Sequence, residues 1–485
     1  MVDRNIKQTL VKGTFYTALA KYSGVIVSLL ISSILARLLT PKDFASVTII
    51  TLIIWFFNIF SEAGFGAAII HKKELSKNVL INIYSYTIYL GLIFTFFAYY
   101  SSTYIGTYYR DESLIKLCKI FSINIFFATA NVVPNALIYK NKLFKFIALR
   151  TLFFNVLGGI LGVTAALYGW GVYSLLVAPM LTSVGVFIVN YMKYPMPFHL
   201  FPNLKSLFPI FSFSLYQFIY YIINYFTISM DKFVIGRYVG MKDLGYYDKP
   251  YRLMTIPIEN ITHVITPVLL PVFAEYQNDK PTVLEYYLKI LHFLAYIGFY
   301  LSVLLFFTAK ELIIIVFGNQ WYPSIPIFEI LAFSISIRMM LSSIVSVYQS
   351  MGATKLLLYT GIIAFLVQTT SILIWYIFSK TLIAIAWTMV GIFVINFIQS
   401  YMVLFYCVFQ EPINKLFRQL YSPFLFAILL FFCLYGINYV IHMELFLSLV
   451  IKVLFSGIFF FIYLRLIGEY DIIKKVFLWK RKKCQ

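Results

Sequence analysis

Runs of about twenty consecutive apolar residues, the length that crosses the hydrocarbon of a bilayer as an α-helix, recur from one end of this 485-residue chain to the other. No other feature limits the fold as tightly. The runs are continuous and lack the alternation of apolar and polar residues that a lipid-facing barrel strand requires, so they read as helices. Composition agrees: 61% of residues are hydrophobic and 12% charged. That leaves too little polar surface for a soluble protein of this size, but it suits a chain solvated by lipid. Fourteen spans are expected, at about 14–36, 44–63, 80–101, 114–139, 146–168, 170–192, 207–230, 251–274, 286–308, 323–350, 356–379, 382–408, 422–441 and 445–467. The expected fold class is an all-α multi-pass membrane protein.

The chain carries 39 Lys and Arg against 19 Asp and Glu, a formal charge of +20. The basic residues cluster in short segments between apolar runs, where membrane topology accounts for them, and no nucleic-acid motif accompanies them. With the N-terminus inside, the cytoplasmic segments hold Arg4, Lys7 and Lys12, then Lys72, Lys73 and Lys77, then Lys140, Lys142 and Lys145, and finally the basic tail from Lys474. Both termini are thereby expected in the cytoplasm. The first apolar run lacks a cleavage site and reads as a retained span. One segment breaks the rule: Lys232 to Arg252, expected outside, carries five basic residues. Either it has a function or a helix is miscounted, and the internal repeat favours the former.

That repeat is direct. Ile34-Leu35-Ala36-Arg37-Leu38-Leu39-Thr40-Pro41-Lys42-Asp43-Phe44-Ala45 returns, 200 residues on, as Val234-Ile235-Gly236-Arg237-Tyr238-Val239-Gly240-Met241-Lys242-Asp243-Leu244-Gly245. Each copy leaves the first helix of a half and opens the second. Six helices per repeat is an even number, so both halves share one orientation, as in transporters built from parallel repeats. The expected division is a six-helix lobe over 1–200, a second over 201–410, and a C-terminal pair of helices with a basic tail over 411–485.

Ala36 to Phe44, its counterpart Ser229 to Arg237, and Ser61-Glu62-Ala63-Gly64-Phe65-Gly66 closing the second span are similar to signature segments of Wzx-type polysaccharide flippases of the MOP superfamily. The 6+6+2 layout resembles that family over nearly the whole chain. The resemblance implies translocation of undecaprenyl-pyrophosphate-linked oligosaccharide, for O-antigen, capsule or exopolysaccharide, from the cytoplasmic to the periplasmic leaflet. It also implies alternating access, H⁺ or Na⁺ as coupling ion, and polysaccharide polymerase machinery alongside.

Such a substrate must carry hydroxyls and an anionic pyrophosphate past hydrocarbon, where each unpartnered polar group costs several kcal/mol. Ionisable residues inside apolar spans are therefore the first candidates. Arg338, near the middle of the tenth span, reads as a cationic contact for pyrophosphate or an acidic sugar, or as a structural bond to nearby carbonyls or a carboxylate. In the eighth span Arg252, Glu259 and His263 are spaced by seven and four, which puts them within about 20° of one helix face, among Pro257, Pro267 and Pro271. The 200-residue offset sets Asn58 and Glu62 of the second span beside the equivalents of Glu259 and His263. The two stripes suggest a lumen, the alternative being caps and interhelical hydrogen bonds. Glu259 and Glu62 are also the candidates for ion coupling. Lys21 lies shallow enough to snorkel. Tyr216, Tyr220 and Asn224 form a line on the seventh span suited to sugars, although interfacial tyrosine is the default in a chain with 39 of them. For Arg37, Asp43, Arg237 and Asp243, near helix ends, a structural Arg–Asp clasp outweighs substrate contact.

No Walker A, GxSxG or HExxH sequence is present, and neither the five histidines nor the four cysteines show metal spacing. No metal and no cofactor is expected. Two alternatives stay open: another MOP-superfamily exporter, of a different glycolipid or a drug, and an integral-membrane polymerase or glycosyltransferase. Drug export would want an anionic lumen, and an enzyme a sizeable extramembrane loop.

Overall fold

A computed structural model describes residues 21–62, 69, 75–203, 215–440 and 443–469. Among them the chain is helical, with no strand. It divides into two compact units, Met1–Gly245 and Tyr246–Gln485. The first holds α1 (Lys21–Leu38), α2 (Pro41–Glu62), α3 (Lys77–Tyr109), α4 (Glu112–Ala130), α5 (Val132–Lys140), α6 (Phe144–Leu167), α7 (Ser174–Lys193) and α8 (Leu215–Tyr238). The helix α9 (Met241–Glu275) opens in the first unit and runs on into the second. There follow α10 (Lys280–Phe307), α11 (Ala309–Phe317), α12 (Ile325–Ala332), α13 (Ile335–Ser350), α14 (Thr354–Phe378), α15 (Leu382–Val403), α16 (Asn414–Val440) and α17 (Leu445–Leu466).

Among the described residues eleven helices are long and apolar enough to span a bilayer, or twelve if the bent pair α12–α13 is one span. The chain is thus a multi-pass membrane protein, but the expected count of fourteen is not confirmed. Two of the expected spans, at 207–230 and 251–274, fall on α8 and α9, which are not among the eleven. They are ample in length, at 24 and 35 residues, but rich in polar side chains. The tenth expected span, written as continuous over 323–350, is broken instead: its two halves meet at 57°.

The repeat is visible in the backbone. α1 ends at Leu38 and α2 begins at Pro41; α8 ends at Tyr238 and α9 begins at Met241, so each boundary recurs 200 residues later. In the first copy the Asp43 carboxylate accepts the Thr40 N–H at 2.9 Å and the Thr40 hydroxyl at 2.7 Å, while Asp43 N–H reaches back to Thr40 Oγ1 at 3.3 Å. This reciprocal cap, with Pro41 at the first helical position, fixes where α2 starts. In the second copy Gly240 replaces Thr40 and adopts φ +140°, a region open to glycine. The copies abut: a Cβ on Gly245 would lie 2.0 Å from the Pro41 carbonyl oxygen.

The expected Arg–Asp clasp does not form in the second copy. The Arg237 guanidinium instead donates to Tyr108 O and lies 4.9 Å over the Tyr108 ring, at the end of α3. Asp43 is taken up by Thr40, Asp243 sits beside Gly240, and Arg37 is engaged as well. Lys42 pairs with Asp111, the cap of α4, at 3.0 Å. The α1–α2, α3–α4 and α8–α9 connections therefore gather at one end of the first unit, as an even number of helices between the repeats requires. The five basic residues of 232–252 are held by protein contacts: Arg237 on Tyr108, Arg252 on Asp248 at 2.6 Å, Lys249 over Phe317 and Trp321, and Lys232 and Lys242 engaged too. The surplus charge of that segment thus has structural employment.

In the second unit polar ties fix the C-terminal pair. Lys452 of α17 lies 2.5 Å from Glu311 of α11 and 2.8 Å from Phe307 O, both ions almost wholly buried, and Ser448 donates to the same Glu311 at 2.6 Å. His292 of α10 sits between Gln419 O of α16 at 2.6 Å and Glu469 at 2.5 Å. Packed between them are Tyr296, Phe426 and Tyr463, whose edge-on ring contacts add to simple burial.

Candidate functional site

The break between α12 and α13 comes at Phe333 and Ser334. Ser334 turns its hydroxyl back to Leu331 O at 2.7 Å, and Ser302 Oγ of α10 accepts the Ser336 N–H at 3.1 Å, so the exposed helix ends are partly satisfied. Four residues into α13 the chain projects Arg338. Its guanidinium lies 4.9 Å over the Tyr251 ring of α9 and 5.1 Å over the Phe393 ring of α15. Nη1 is buried and has no hydrogen-bond partner among the described residues, and none of their carboxylates pairs with this arginine. Glu329 lies on the other side of the break, in α12. The residue as a whole is half-buried, and two aromatic faces stabilise a partly exposed cation by about 0.5–1 kcal/mol each.

On α9, which runs unbroken past Pro257, Arg252 and Glu259 are both exposed, as their seven-residue spacing on one face requires. Arg252 is bound to Asp248, one turn earlier on the same helix. The side chains of His263 and of its partner by repeat, Glu62, lie outside the described residues, so the full stripe is not drawn. Asn260 donates to Ile256 O at 2.8 Å and leaves its Oδ1 buried without a partner.

Asn58, the other repeat partner, lines a cavity of about 420 Å³ inside the first unit. Ser28 of α1, Asn124 of α4, Asn155 of α6, and Thr182 and Ser183 of α7 line it as well, with apolar walls from Val27, Ile31, Ile54 and Pro179. The Asn124 Oδ1 is buried with no hydrogen-bond partner. Lys21, at the start of α1, is half-buried and does not line this cavity.

On α8, Tyr220 and Asn224 are half-buried, and the Tyr216 side chain lies outside the described residues. The tyrosine that matters most to packing is a neighbour of the expected line. Tyr225 is 2% exposed, donates to Leu52 O of α2 at 2.9 Å, and meets Trp55 and Phe56 edge-on or tilted.

Sequence reasoning missed Arg150 altogether. This α6 residue is buried, donates to Asn190 Oδ1 of α7, and donates to Asn135 Oδ1 of α5 at 2.8 Å; Asn190 in turn donates to Asn131 at 2.7 Å. Two amides, on α7 and α5, accept from the charge, and a third, at the α4–α5 junction, braces the first. The only signal in the sequence was an arginine six residues inside a span. The Lys452–Glu311 pair was likewise missed, although Lys452 lies inside the expected span 445–467 and Glu311 just beyond the end of 286–308.

These features define a class before they define a family. The fold is that of MOP-superfamily transporters: it superposes on the lipid II flippase MurJ in an inward closed conformation with a TM-score of 0.74, covering 94% of this chain and 99% of that one at 15% identity. The model of the polysaccharide biosynthesis protein family matches residues 34–326, and the chain belongs to that family. It is 25% identical over 437 residues to the teichuronic acid biosynthesis protein TuaB of Bacillus subtilis, with 90% of each chain covered. It is 24% identical to the lipopolysaccharide biosynthesis protein WzxC of Escherichia coli, with 67% of each covered.

Proposed function

We propose that this protein is a flippase that carries undecaprenyl-pyrophosphate-linked oligosaccharide, a repeat unit of O-antigen, capsule or exopolysaccharide, across the bacterial cytoplasmic membrane by alternating access. Family membership supports a role in building polysaccharide, and the MurJ-like fold supports movement of a lipid with a polar head. The observation that carries the reading is Arg338. It is a permanent cation, stacked on two rings and left with an open donor, beside a helix broken inside the apolar region. Broken helices at membrane depth are tolerated where they line a cavity or a substrate path. A pyrophosphate is the anion that would complete this site, since a planar guanidinium matches phosphate oxygens two at a time. On this reading residues 1–200 and 201–410 are the rocking lobes, 411–485 an appendage, and both termini are cytoplasmic. Glu259, exposed on α9, and Glu62 are the carboxylates proposed for H⁺ or Na⁺ coupling.

The test is translocation of native sugar lipid in proteoliposomes, comparing wild type with Arg338→Ala and Glu259→Gln. A charged hydrogen bond contributes about 1.5–3 kcal/mol, so Arg338→Ala is expected to slow translocation by about 10- to 100-fold. Glu259→Gln is expected to abolish dependence on the ion gradient. Wild type that moves no sugar lipid would sink the reading.

A further inference from the structure

The cavity inside the first unit is not explained by packing. Five helices contribute to it, and its polar residues stand near the middle of theirs: Asn155 is the twelfth of 24 residues in α6, and Asn124 the thirteenth of 19 in α4. Asn124 is 7% exposed, yet its Oδ1 has no partner among the described residues. A buried amide oxygen left open costs about 1–3 kcal/mol. A sequence free to close this space with leucine would gain that energy, so the open acceptor points to an occupant.

The chemistry of the lining selects the occupant. Among the described residues no charged side chain lines the cavity; the polar groups there are three carboxamides and three hydroxyls. Each carboxamide offers two donors and an acceptor, and each hydroxyl both donates and accepts. A metal cation would use only the oxygens and leave the amide donors facing it unpaired. An anion would use only the donors and leave the Asn124 oxygen still open. A polyol uses both kinds of group. The remaining wall, Ile31, Ile54 and Pro179, is apolar and suits the C–H faces of a pyranose ring. At about 420 Å³ the space lies within the range of small-ligand pockets, roughly 300–1,000 Å³.

We infer that this cavity is a subsite for an uncharged sugar ring of the transported glycan, with Asn124, Asn155 and Asn58 as its hydrogen-bonding groups. The inference rests on the flippase reading and deepens it by naming a neutral glycosyl unit as the part of the substrate that this cavity takes.

The test uses the full chain in nanodiscs and two kinds of probe. Tritiated methyl glycosides, one hexose and one N-acetylhexosamine, report the subsite, and undecaprenyl pyrophosphate without sugar reports the anionic site. The expected result is saturable millimolar binding of at least one glycoside, weakened tenfold or more by Asn124→Leu and by the space-filling Ala128→Leu, with undecaprenyl pyrophosphate bound normally by both variants. That second probe also certifies that each variant is folded. Glycoside binding unchanged in both variants would put the sugar elsewhere and overturn the subsite. So would undecaprenyl pyrophosphate binding with no saturable glycoside, or a cavity that takes up ²²Na⁺ and loses it on Asn124→Leu; either leaves the flippase standing. Failure of both lipid and glycoside to bind wild type would overturn the flippase reading, and the subsite with it.

Discussion

Arg150 and Arg338 are both permanent cations in helices, and the structure gives them different partners. Two asparagines accept from the terminal nitrogens of Arg150 and a third accepts from the first of these, while its Nε is buried with no hydrogen-bond partner among the described residues. Arg338 has two ring faces and an open Nη1. The two differ in their partners and in burial, Arg150 being buried and Arg338 half-buried. Arg150 ties α6 to α5 and α7 through side-chain hydrogen bonds, and on the reading proposed above Arg338, held by rings beside a broken helix, is the contact for a ligand. Lys452 supplies the third case, a cation neutralised by a carboxylate, Glu311, on another helix.

The comparison can be broken in four ways. The largest effect is expected where charge meets charge. Lys452→Met alone should cost about 3–5 kcal/mol by stranding Glu311, whereas Lys452→Met with Glu311→Leu should recover most of it; thermal unfolding in detergent measures both. Next comes Arg150→Leu, which leaves Asn190 and Asn135 without their donor. It should lower stability by about 2–3 kcal/mol while the folded fraction keeps its transport rate, and adding Asn190→Leu should restore part of the loss. Third, Arg338→Lys keeps the charge but gives up the planar fork. Transport should fall about tenfold, with the unfolding temperature unchanged or raised, a pattern opposite to that of Arg150→Leu.

The smallest effect concerns Asp111, which joins the repeat motif to α4 outside the spans. Burial pushes its carboxyl up, but hydrogen bonds from Ser113 and the Lys42 ammonium outweigh burial and hold it below the usual carboxylate range. A lowered folded-state pKa means that the stabilisation is complete above the ordinary Asp range and is lost as pH falls through the lowered value. Asp111→Asn should cost about 1 kcal/mol near neutrality and flatten the acid side of the stability profile. A mutant profile parallel to wild type would remove this pair from the account.

Much of this was legible in the sequence. The spans follow from unbroken apolar runs, and the repeat from Arg, Lys and Asp returning at one offset, down to the matching starts of α2 and α9. Arg338 was legible as a candidate because an arginine in the middle of a span is costly without a partner, although a structural bond was an open alternative. Its setting was not: the break at Phe333 and Ser334 contains neither proline nor glycine, and Tyr251 and Phe393 come from helices far away in sequence. Arg150 was overlooked for the same reason, its asparagines being ordinary until folding brings them together. The clasp expected at Arg237 failed because Tyr108, 129 residues earlier, offered a carbonyl and a ring that no local pattern announces.

The central proposal is that Arg338 contacts the anionic head of the substrate and that Arg150 fastens helices together. The most direct measurement is the affinity of the purified full chain for undecaprenyl pyrophosphate, in wild type, Arg338→Gln and Arg150→Gln, each confirmed as folded by its unfolding temperature. The account predicts affinity reduced about 10- to 100-fold in Arg338→Gln, the loss of one charged hydrogen bond, and unchanged affinity in the folded fraction of Arg150→Gln. Equal affinity in all three, or a loss confined to Arg150→Gln, would contradict it.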